Sequence, residues 1–418
     1  MPASTAHQGD RIHVLAALTD PAGGYTKFAG TMLCSLFANT NHPVTAHIMH
    51  DHTLRQIDRE RLQQVAAAFS QTLCFYDMDE LAGAQLRKLR EQFPDISRSR
   101  FSDATMYRLL AGEILPAEIQ RIIYLDADII VQLDIAELWQ QCLLGGGSLA
   151  AVLDHSIQQD GHPLAARGYF ALNRYFNAGV LLIQLAAFRA RPVLADGLRF
   201  LQETGSIIAP DQDILNYFFQ QDCIFLPERF NILINFKLAS EHIASAYEPG
   251  IYHYGAHILS FRADCDPFSL LFFHYFAMTP WCNGYFLMEL LQRIQRAERQ
   301  LGRELARRGR AFLCRAEDYA QLKESYDIQP DEPCFLIQQG HIDLSLDKLQ
   351  NRLLLVFVPY TIVHNLLVKA GLQPNRDFRY GQLYDQSTPP ADEQWLQIFL
   401  ASLTDYPLFC QTRSDEPD

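Results

Sequence analysis

Asp126 and Asp128 sit in the run Arg121-Ile-Ile-Tyr-Leu-Asp-Ala-Asp-Ile-Ile-Val131, which is otherwise apolar and places no basic residue between the two acids. Unpaired carboxylates are costly to bury. In an extended chain, residues two apart leave the same face, and a divalent cation with its preference for hard oxygen ligands would stabilise both acids together. The spacing therefore points to a metal site at a strand end. A strand that runs into an Asp-rich turn fits the same three residues, and the triplet alone does not separate the two readings.

The elements that must position such a pair alternate between strand and helix. Ile12 to Leu18 predicts a strand, Asp20-Pro-Ala-Gly-Gly24 a turn, and Tyr25 to Ala38 a helix with Phe28, Met32, Leu36 and Phe37 on its apolar face. Val44 to Met49 and Thr72 to Tyr76 predict strands, with helices at Leu54 to Phe69 and Glu80 to Glu91. Ser102 is placed to cap a helix carrying Met106, Leu109 and Leu110, and Ile119 to Leu125 is the strand that delivers the aspartates. A short helix is expected at Asp134 to Gln140, strands at Leu149 to Leu153 and Gly179 to Leu185, and a helix from Asp211 to Phe219. Parallel strands with intervening helices satisfy this order. Tyr247 to Pro267 reads as a loop, Phe286 to Phe312 as a long arginine-bearing helix, and Ile342 to Lys369 as a Leu- and Val-rich segment. A domain boundary is expected near 265 to 285. Gly23-Gly24 and Gly145-Gly-Gly147 lack the spacing of a dinucleotide fingerprint and read as turns.

Composition narrows the class. The chain has 418 residues, 49% of them hydrophobic, and a formal charge of -13 that disfavours a broad nucleic-acid-binding surface. Nine cysteines without CxxC pairs fit a reducing compartment. Met1 to Gly9 carries no apolar signal-peptide core and no stretch reaches transmembrane length, so a cytoplasmic location is expected.

Several blocks, in order, extend the two aspartates into a pattern: Thr19-Asp20; Tyr107-Arg108-Leu109; Tyr124-Leu-Asp-Ala-Asp-Ile-Ile-Val131 with Asp134 and Leu138-Trp139; Phe176-Asn-Ala-Gly-Val-Leu-Leu-Ile183; Pro210-Asp-Gln-Asp-Ile-Leu-Asn216; Arg229-Phe-Asn231; and Tyr252-His253-Tyr254. Together they resemble glycosyltransferase family 8, the retaining GT-A-fold enzymes that include bacterial lipopolysaccharide glucosyl- and galactosyltransferases and glycogenin. The resemblance covers about residues 10 to 260. It implies an α/β fold of the GT-A nucleotide-diphospho-sugar transferase type, a Rossmann-like mixed sheet, with the catalytic domain at 10–265. A mainly helical C-terminal extension at 285–418 is expected to position the acceptor or a membrane.

The same resemblance implies roles. Asp126, Asp128 and His253 would ligate the metal, Mn2+ or Mg2+, with Ala127 between the acids in the cofactor-binding motif. Asn177, Asp211 and Gln212 would meet the transferred hexose; the amides position hydroxyls and do not titrate at neutral pH. Thr19, Asp20 and Tyr25 would hold the nucleoside of a UDP-sugar, and Arg108 would face the diphosphate. Many relatives follow their late histidine with G-x-x-K-P-W, whose lysine contacts the β-phosphate. Here the text is His253-Tyr-Gly-Ala-His-Ile-Leu-Ser-Phe261, without that lysine, and Arg262 or His257 is the candidate substitute.

The expected activity is transfer of glucose or galactose from a UDP-sugar to a hydroxyl of a lipopolysaccharide or other surface glycan. The expected setting is cytoplasmic, with a peripheral contact at the inner face of the membrane through the Phe286 to Phe312 stretch. Two other readings stay open: an acceptor that is a protein or soluble glycan, and a catalytically weakened nucleotide-sugar-binding protein.

Overall fold

The computed structural model describes residues 11–94, 96, 103–141, 147–205, 208–234, 248–255, 267–284 and, with short gaps, 303–380. The chain divides into two compact units, one of residues 1–260 and 267–281, the other of residues 261–266 and 282–418.

The first unit is built on seven strands: β1 (Ile12–Leu18), β2 (Val44–His50), β3 (Thr72–Asp77), β4 (Arg121–Leu125), β6 (Leu149–Leu153), β7 (Phe176–Gln184) and β8 (Ile224–Phe225), in the order β3-β2-β1-β4-β7-β6-β8. β3, β2, β1 and β4 run parallel, while β7 is antiparallel to both β4 and β6. A second, three-stranded sheet joins β5 (Ile129–Val131), β9 (Ile232–Leu233) and β10 (Ile251–His253) in the order β5-β10-β9. β4 and β5 are thus neighbours in the chain that belong to different sheets, and Asp126 to Asp128 form the corner between them.

Strand β1 is buried along nearly its whole length, as are β2, β4 and β7, because helices cover both faces of the sheet. Helix α1 (Thr26–Ala38) follows β1, and α2 (Gln56–Ala68) follows β2. The helix Pro267–Ala277 returns to α1, setting Phe272 5.6 Å from Phe28 ring to ring and the Tyr275 hydroxyl 2.7 Å from the Asn39 amide. Trp281 then lies over Gly30, where any Cβ would come within 2.3 Å of its ring, and its indole N–H donates to Asp58. The first unit therefore extends past residue 265 to Trp281.

The strand expected at Ile119 to Leu125 is present as β4, and the two acids turn the chain after it. Two expectations need correction. The segment from Tyr247, read as a loop, contains β10, whose Ile251-Tyr-His253 is too short for a periodicity signal and is stabilised by pairing with β5. The described part of the C-terminal region is not chiefly helical. It forms a five-stranded sheet of β11 (Gly309–Arg315), β12 (Cys334–Gln338), β13 (His341–Ile342), β14 (Arg352–Val356) and β15 (Phe378–Tyr380), in the order β13-β12-β11-β14-β15. β14 alternates between two cores, Leu354 and Val356 on one face, Leu353 and Leu355 on the other. A strand buried on both faces reads as a continuous apolar run, which periodicity cannot distinguish from a buried helix. Residues 285–302, the greater part of the expected long helix, lie outside the described residues, as does Ser102.

A polar line crosses β1, β2 and β3. His13 Nδ1 lies 3.0 Å from His47 Nε2, and His47 Nδ1 lies 2.9 Å from the Tyr76 hydroxyl. Burial, and then repulsion from His13, push His47 from 6.5 down to about 4; burial and the Arg11 charge also lower His13. Because the unfolded chain takes up a proton on His47 before the folded chain does, this contribution is fully present above about 6.5 and is lost as the pH falls toward about 4. His47→Gln is expected to flatten the dependence of the urea midpoint over that window; an unaltered slope would exclude His47 as its source.

Candidate active site

The site forms at the carboxyl ends of β4 and β6 and the amino end of the antiparallel β7, where the two sheets of the first unit meet. Leu125 of β4 pairs with Val180 of β7, and the next amide, Asp126 N–H, donates to the Gly179 carbonyl at 2.9 Å. The chain turns through Ala127, which is buried, and re-enters structure at β5 opposite His253. Tyr254 N–H donates to the Asp128 carbonyl at 3.0 Å, locking β10 to the corner. His253 Nε2 consequently stands 3.7 Å from Asp126 Oδ2 and 3.4 Å from Asp128 Oδ1, and one ligand atom from each residue lies within 4.8 Å of the others. Two carboxylates and an imidazole are a donor set that suits a divalent cation.

The imidazole is oriented from behind. His253 Nδ1 is 3.1 Å from Asn231 Oδ1, Asn231 Nδ2 donates to Asn177 Oδ1 at 2.8 Å, and Asn177 Nδ2 donates to Asp154 Oδ2 at 3.0 Å. Since Asn231 offers an amide oxygen, Nδ1 carries the proton and Nε2 points its lone pair at the aspartates. Burial lowers the basicity of His253, but Asp128 and Asp126 outweigh it and raise the pKa above the usual value.

Gly179 explains why the motif closes on a glycine. A Cβ there would stand 2.3 Å from His253 Cε1 and 2.9 Å from Asp126 Oδ2, inside the space that the three ligands enclose. Only a residue without a side chain lets β7 pass beneath them.

Asp154, immediately after β6, is the hub that joins Asn177 and Gln212. Oδ2 accepts from Asn177 and, at 3.1 Å, from Gln212 Nε2; Oδ1 accepts from Ser156 Oγ at 2.7 Å and Ile157 N–H at 3.1 Å. Gln212 Oε1 in turn accepts from Ala178 N–H at 2.8 Å, which fixes the orientation of its amide. The three residues of Asp211-Gln-Asp213 open the helix Pro210–Phe219 and diverge. Asp211 lies 3.3 Å from Arg108 Nε, while Asp213 is wholly buried and accepts from the Tyr175 hydroxyl at 2.7 Å. Burial raises the Asp211 carboxyl; Arg108 opposes that shift and Asp126 adds to it.

Arg108 is buried, stacks on Tyr124 at 4.2 Å, and donates to Asp126 Oδ1 at 2.8 Å, Ala178 O at 2.7 Å and Thr105 O at 3.0 Å. It thereby fixes Asp126, which also accepts from the Tyr124 hydroxyl at 2.7 Å. Asp20 likewise faces inward. Its carboxylate accepts from Gly24 N–H, Tyr25 N–H, Thr26 N–H and Thr26 Oγ1, and these bonds outweigh burial and lower its pKa. Thr19 Oγ1 donates to Asp51 at 2.6 Å. Tyr25 is 36% exposed overall, while burial of its hydroxyl, and then the charges of Asp128 and Asp126, push the phenol well above its usual value. His257 and Arg262 lie outside the described residues.

Sequence reasoning missed Asp154, Asn231 and Gly179 as site residues. Asp154 had a readable signal, an acid directly after an apolar strand, as Asp126 is after β4. Asn231 and Gly179 stood inside recognised blocks, but their role depends on which strands become neighbours.

The chain resembles known proteins over this same region. Glycosyl transferase family 8 matches residues 21–258, more than half of the chain. General stress protein A of Bacillus subtilis (strain 168) is 23% identical over 287 residues, covering 65% of this chain and 94% of that protein. Lipopolysaccharide 1,2-glucosyltransferase of Escherichia coli (strain K12) is 28% identical over 33% of this chain and 40% of its own length. Lipopolysaccharide 1,3-galactosyltransferase of Salmonella typhimurium (strain LT2) is 24% identical over 49% of this chain and 59% of its own. The matches thus span less than two thirds of those two transferases. Among solved structures, galactosyltransferase LgtC in complex with donor and acceptor sugar analogs superposes with a TM-score of 0.51 at 21% identity, over 64% of this chain and 96% of that one, a likeness of fold alone. With the mixed, mostly parallel sheet of the GT-A fold and a family match that spans the whole site, the chain belongs to glycosyl transferase family 8.

Proposed function

We propose that this protein is a metal-dependent retaining transferase that moves glucose or galactose from a UDP-sugar to a hydroxyl of lipopolysaccharide or another surface glycan. The observation that carries the reading is the convergence of Asp126, Asp128 and His253 beside the amides of Asn177 and Gln212. The names of the lipopolysaccharide transferases among the relatives support the acceptor class.

Asp126, Asp128 and His253 would hold Mn2+, with Mg2+ as the alternative; the bound ion supplies charge stabilisation at the diphosphate leaving group. Tyr25 offers the nucleoside an exposed ring, and Thr19 and Asp20 shape the loop below it. Asn177 and Gln212 present amide groups to the hexose from an orientation that Asp154 fixes. Neither acid near Gln212 is an unencumbered nucleophile, because Asp154 accepts four hydrogen bonds and Asp211 faces Arg108. Retention therefore fits a same-face displacement, in which the bond from the anomeric carbon to the β-phosphate oxygen breaks as the acceptor oxygen bonds and that phosphate oxygen takes the acceptor's proton.

We assign acceptor positioning to the second unit, since every described residue of the candidate site lies before residue 254. A cytoplasmic setting with peripheral membrane contact belongs to the same proposal; among the described residues no helix is long and apolar enough to cross a membrane.

Turnover of a panel of UDP-glucose, UDP-galactose, UDP-N-acetylglucosamine and UDP-glucuronate, with and without Mn2+, tests the donor. Glucose or galactose is expected to be used, and Asp128→Asn to lower the metal-dependent rate by at least about a hundredfold while uridine binding changes less. A preference of more than about tenfold for another sugar would refute the donor assignment. UDP binding without turnover would favour a binding protein.

Gly179→Ala is expected to weaken metal binding by about tenfold or more in calorimetry, because the added methyl enters the ligand cluster. Wild-type affinity in a folded variant would exclude that geometry.

A chain ended after Trp281 should hydrolyse UDP-sugar and lose transfer to the glycan. Loss of both rates, with the unit folded and binding UDP, would place part of the active site in the second unit.

A further inference from the structure

Beyond the cleft, the helix Pro210–Phe219 carries a second feature. Tyr217, five residues past Gln212 and so about 7.5 Å further along the axis, is 41% exposed on the flank of the first unit. Its ring lies against the buried ring of Phe200, with centroids 4.2 Å apart and planes at 16°. Tyr169 packs edge-on to both, at 5.7 Å from Phe200 and 6.2 Å from Tyr217. An exposed aromatic ring is thereby held in one orientation, so a ligand that stacks on it loses little side-chain freedom in binding.

Two guanidinium groups lie over rings of this cluster, which Phe218 joins with its centroid 5.0 Å from that of Tyr217. Arg191 sits 4.1 Å from the centroid of Phe218, with Asp196 at 3.6 Å from its Nε; Arg167 sits 5.0 Å from that of Tyr169 and donates to the Thr204 carbonyl at 2.8 Å. Together they bring two positive charges to this cluster on a chain whose net charge is -13. The cluster is also linked to the site through the interior. Phe170, next to Tyr169, packs 4.9 Å from Tyr175, whose hydroxyl donates to Asp213, the neighbour of Gln212.

A sugar ring has an apolar face of C–H groups that an aromatic ring can cover, and a fixed guanidinium pairs with phosphate through parallel N–H donors. We propose that Tyr217, Tyr169, Arg191 and Arg167 form an exosite for a phosphorylated oligosaccharide, the part of the acceptor remote from the hydroxyl that receives the hexose. This rests on the glycosyl-transfer reading above.

Calorimetry on the full chain tests it, using pentamannose phosphate, the same sugar after phosphatase treatment, and inorganic phosphate. The phosphorylated oligosaccharide is expected to bind at least about tenfold more tightly than either of the others, and Tyr217→Ala and Arg191→Glu each to weaken it by about tenfold. UDP-sugar hydrolysis should stay within about twofold in both variants, since neither residue touches the cleft. Arg191→Glu leaves the stacked rings in place, so it remains informative if Tyr217→Ala disturbs the helix.

The proposal is overturned if the phosphorylated sugar does not bind, if both variants bind it as the wild type does, or if inorganic phosphate binds equally well. It is also overturned if sedimentation shows that Tyr217→Ala dissociates an oligomer, which would give this face to a second copy. Binding is read without turnover, so a wild-type chain that binds the phosphorylated sugar but hydrolyses no UDP-sugar would count against the transferase reading and not against the exosite.

Discussion

Negative charge gathered at one corner of a buried sheet is the constraint on which the rest of this site depends. Asp126, Asp128, Asp154 and Asp211 converge there, with Asp213 wholly buried just beneath, and carboxylates do not tolerate such company without compensation. Compensation comes in distinct forms. Arg108 is fixed between Asp126 and Asp211. Asp154 is satisfied by neutral donors alone. Asp126 and Asp128 face His253, a donor set that suits a divalent cation.

Amides carry that order from one group to the next. Asp154 sets Asn177, Asn177 sets Asn231, and Asn231 sets the tautomer of His253; the other arm from Asp154 sets Gln212. Gln212 and the Asp126, Asp128 and His253 cluster thus share one anchor, although Asp154 is not part of that cluster. Because each amide both donates and accepts, reversing one would place like groups opposite each other along the chain. Positional precision here follows from hydrogen-bond polarity as much as from packing.

The second unit illustrates a different physical point. Its parallel strands β11, β12 and β14 contribute to cores on both faces, and their apolar runs resemble buried helices when read as text. The first unit was easier to read because its strands end in polar residues that act: Leu18 is followed by Thr19-Asp20, Leu125 by Asp126, and Leu153 by Asp154. Ligand-facing groups at the carboxyl ends of strands are what an open α/β sheet provides.

What the sequence determined by itself was the rhythm of the first unit and the identity of the groups able to do chemistry. Apolar runs broken by Asp126, Asp128 and Asp154, and the blocks around Asn177, Gln212 and His253, are local facts, legible because charge and amide functions interrupt a hydrophobic pattern. Only the tertiary structure decided how those groups are used. Arg108 faces carboxylates and not solvent, Asp20 is consumed by its own turn, and Gly179 must lack a side chain because His253 lies above it. Each of these depends on contacts between residues far apart in the chain, made when β10 pairs with β5 and β7 with β4. A side chain's chemistry is written in its residue type, but its partner is fixed by strand order and register, which no single segment encodes.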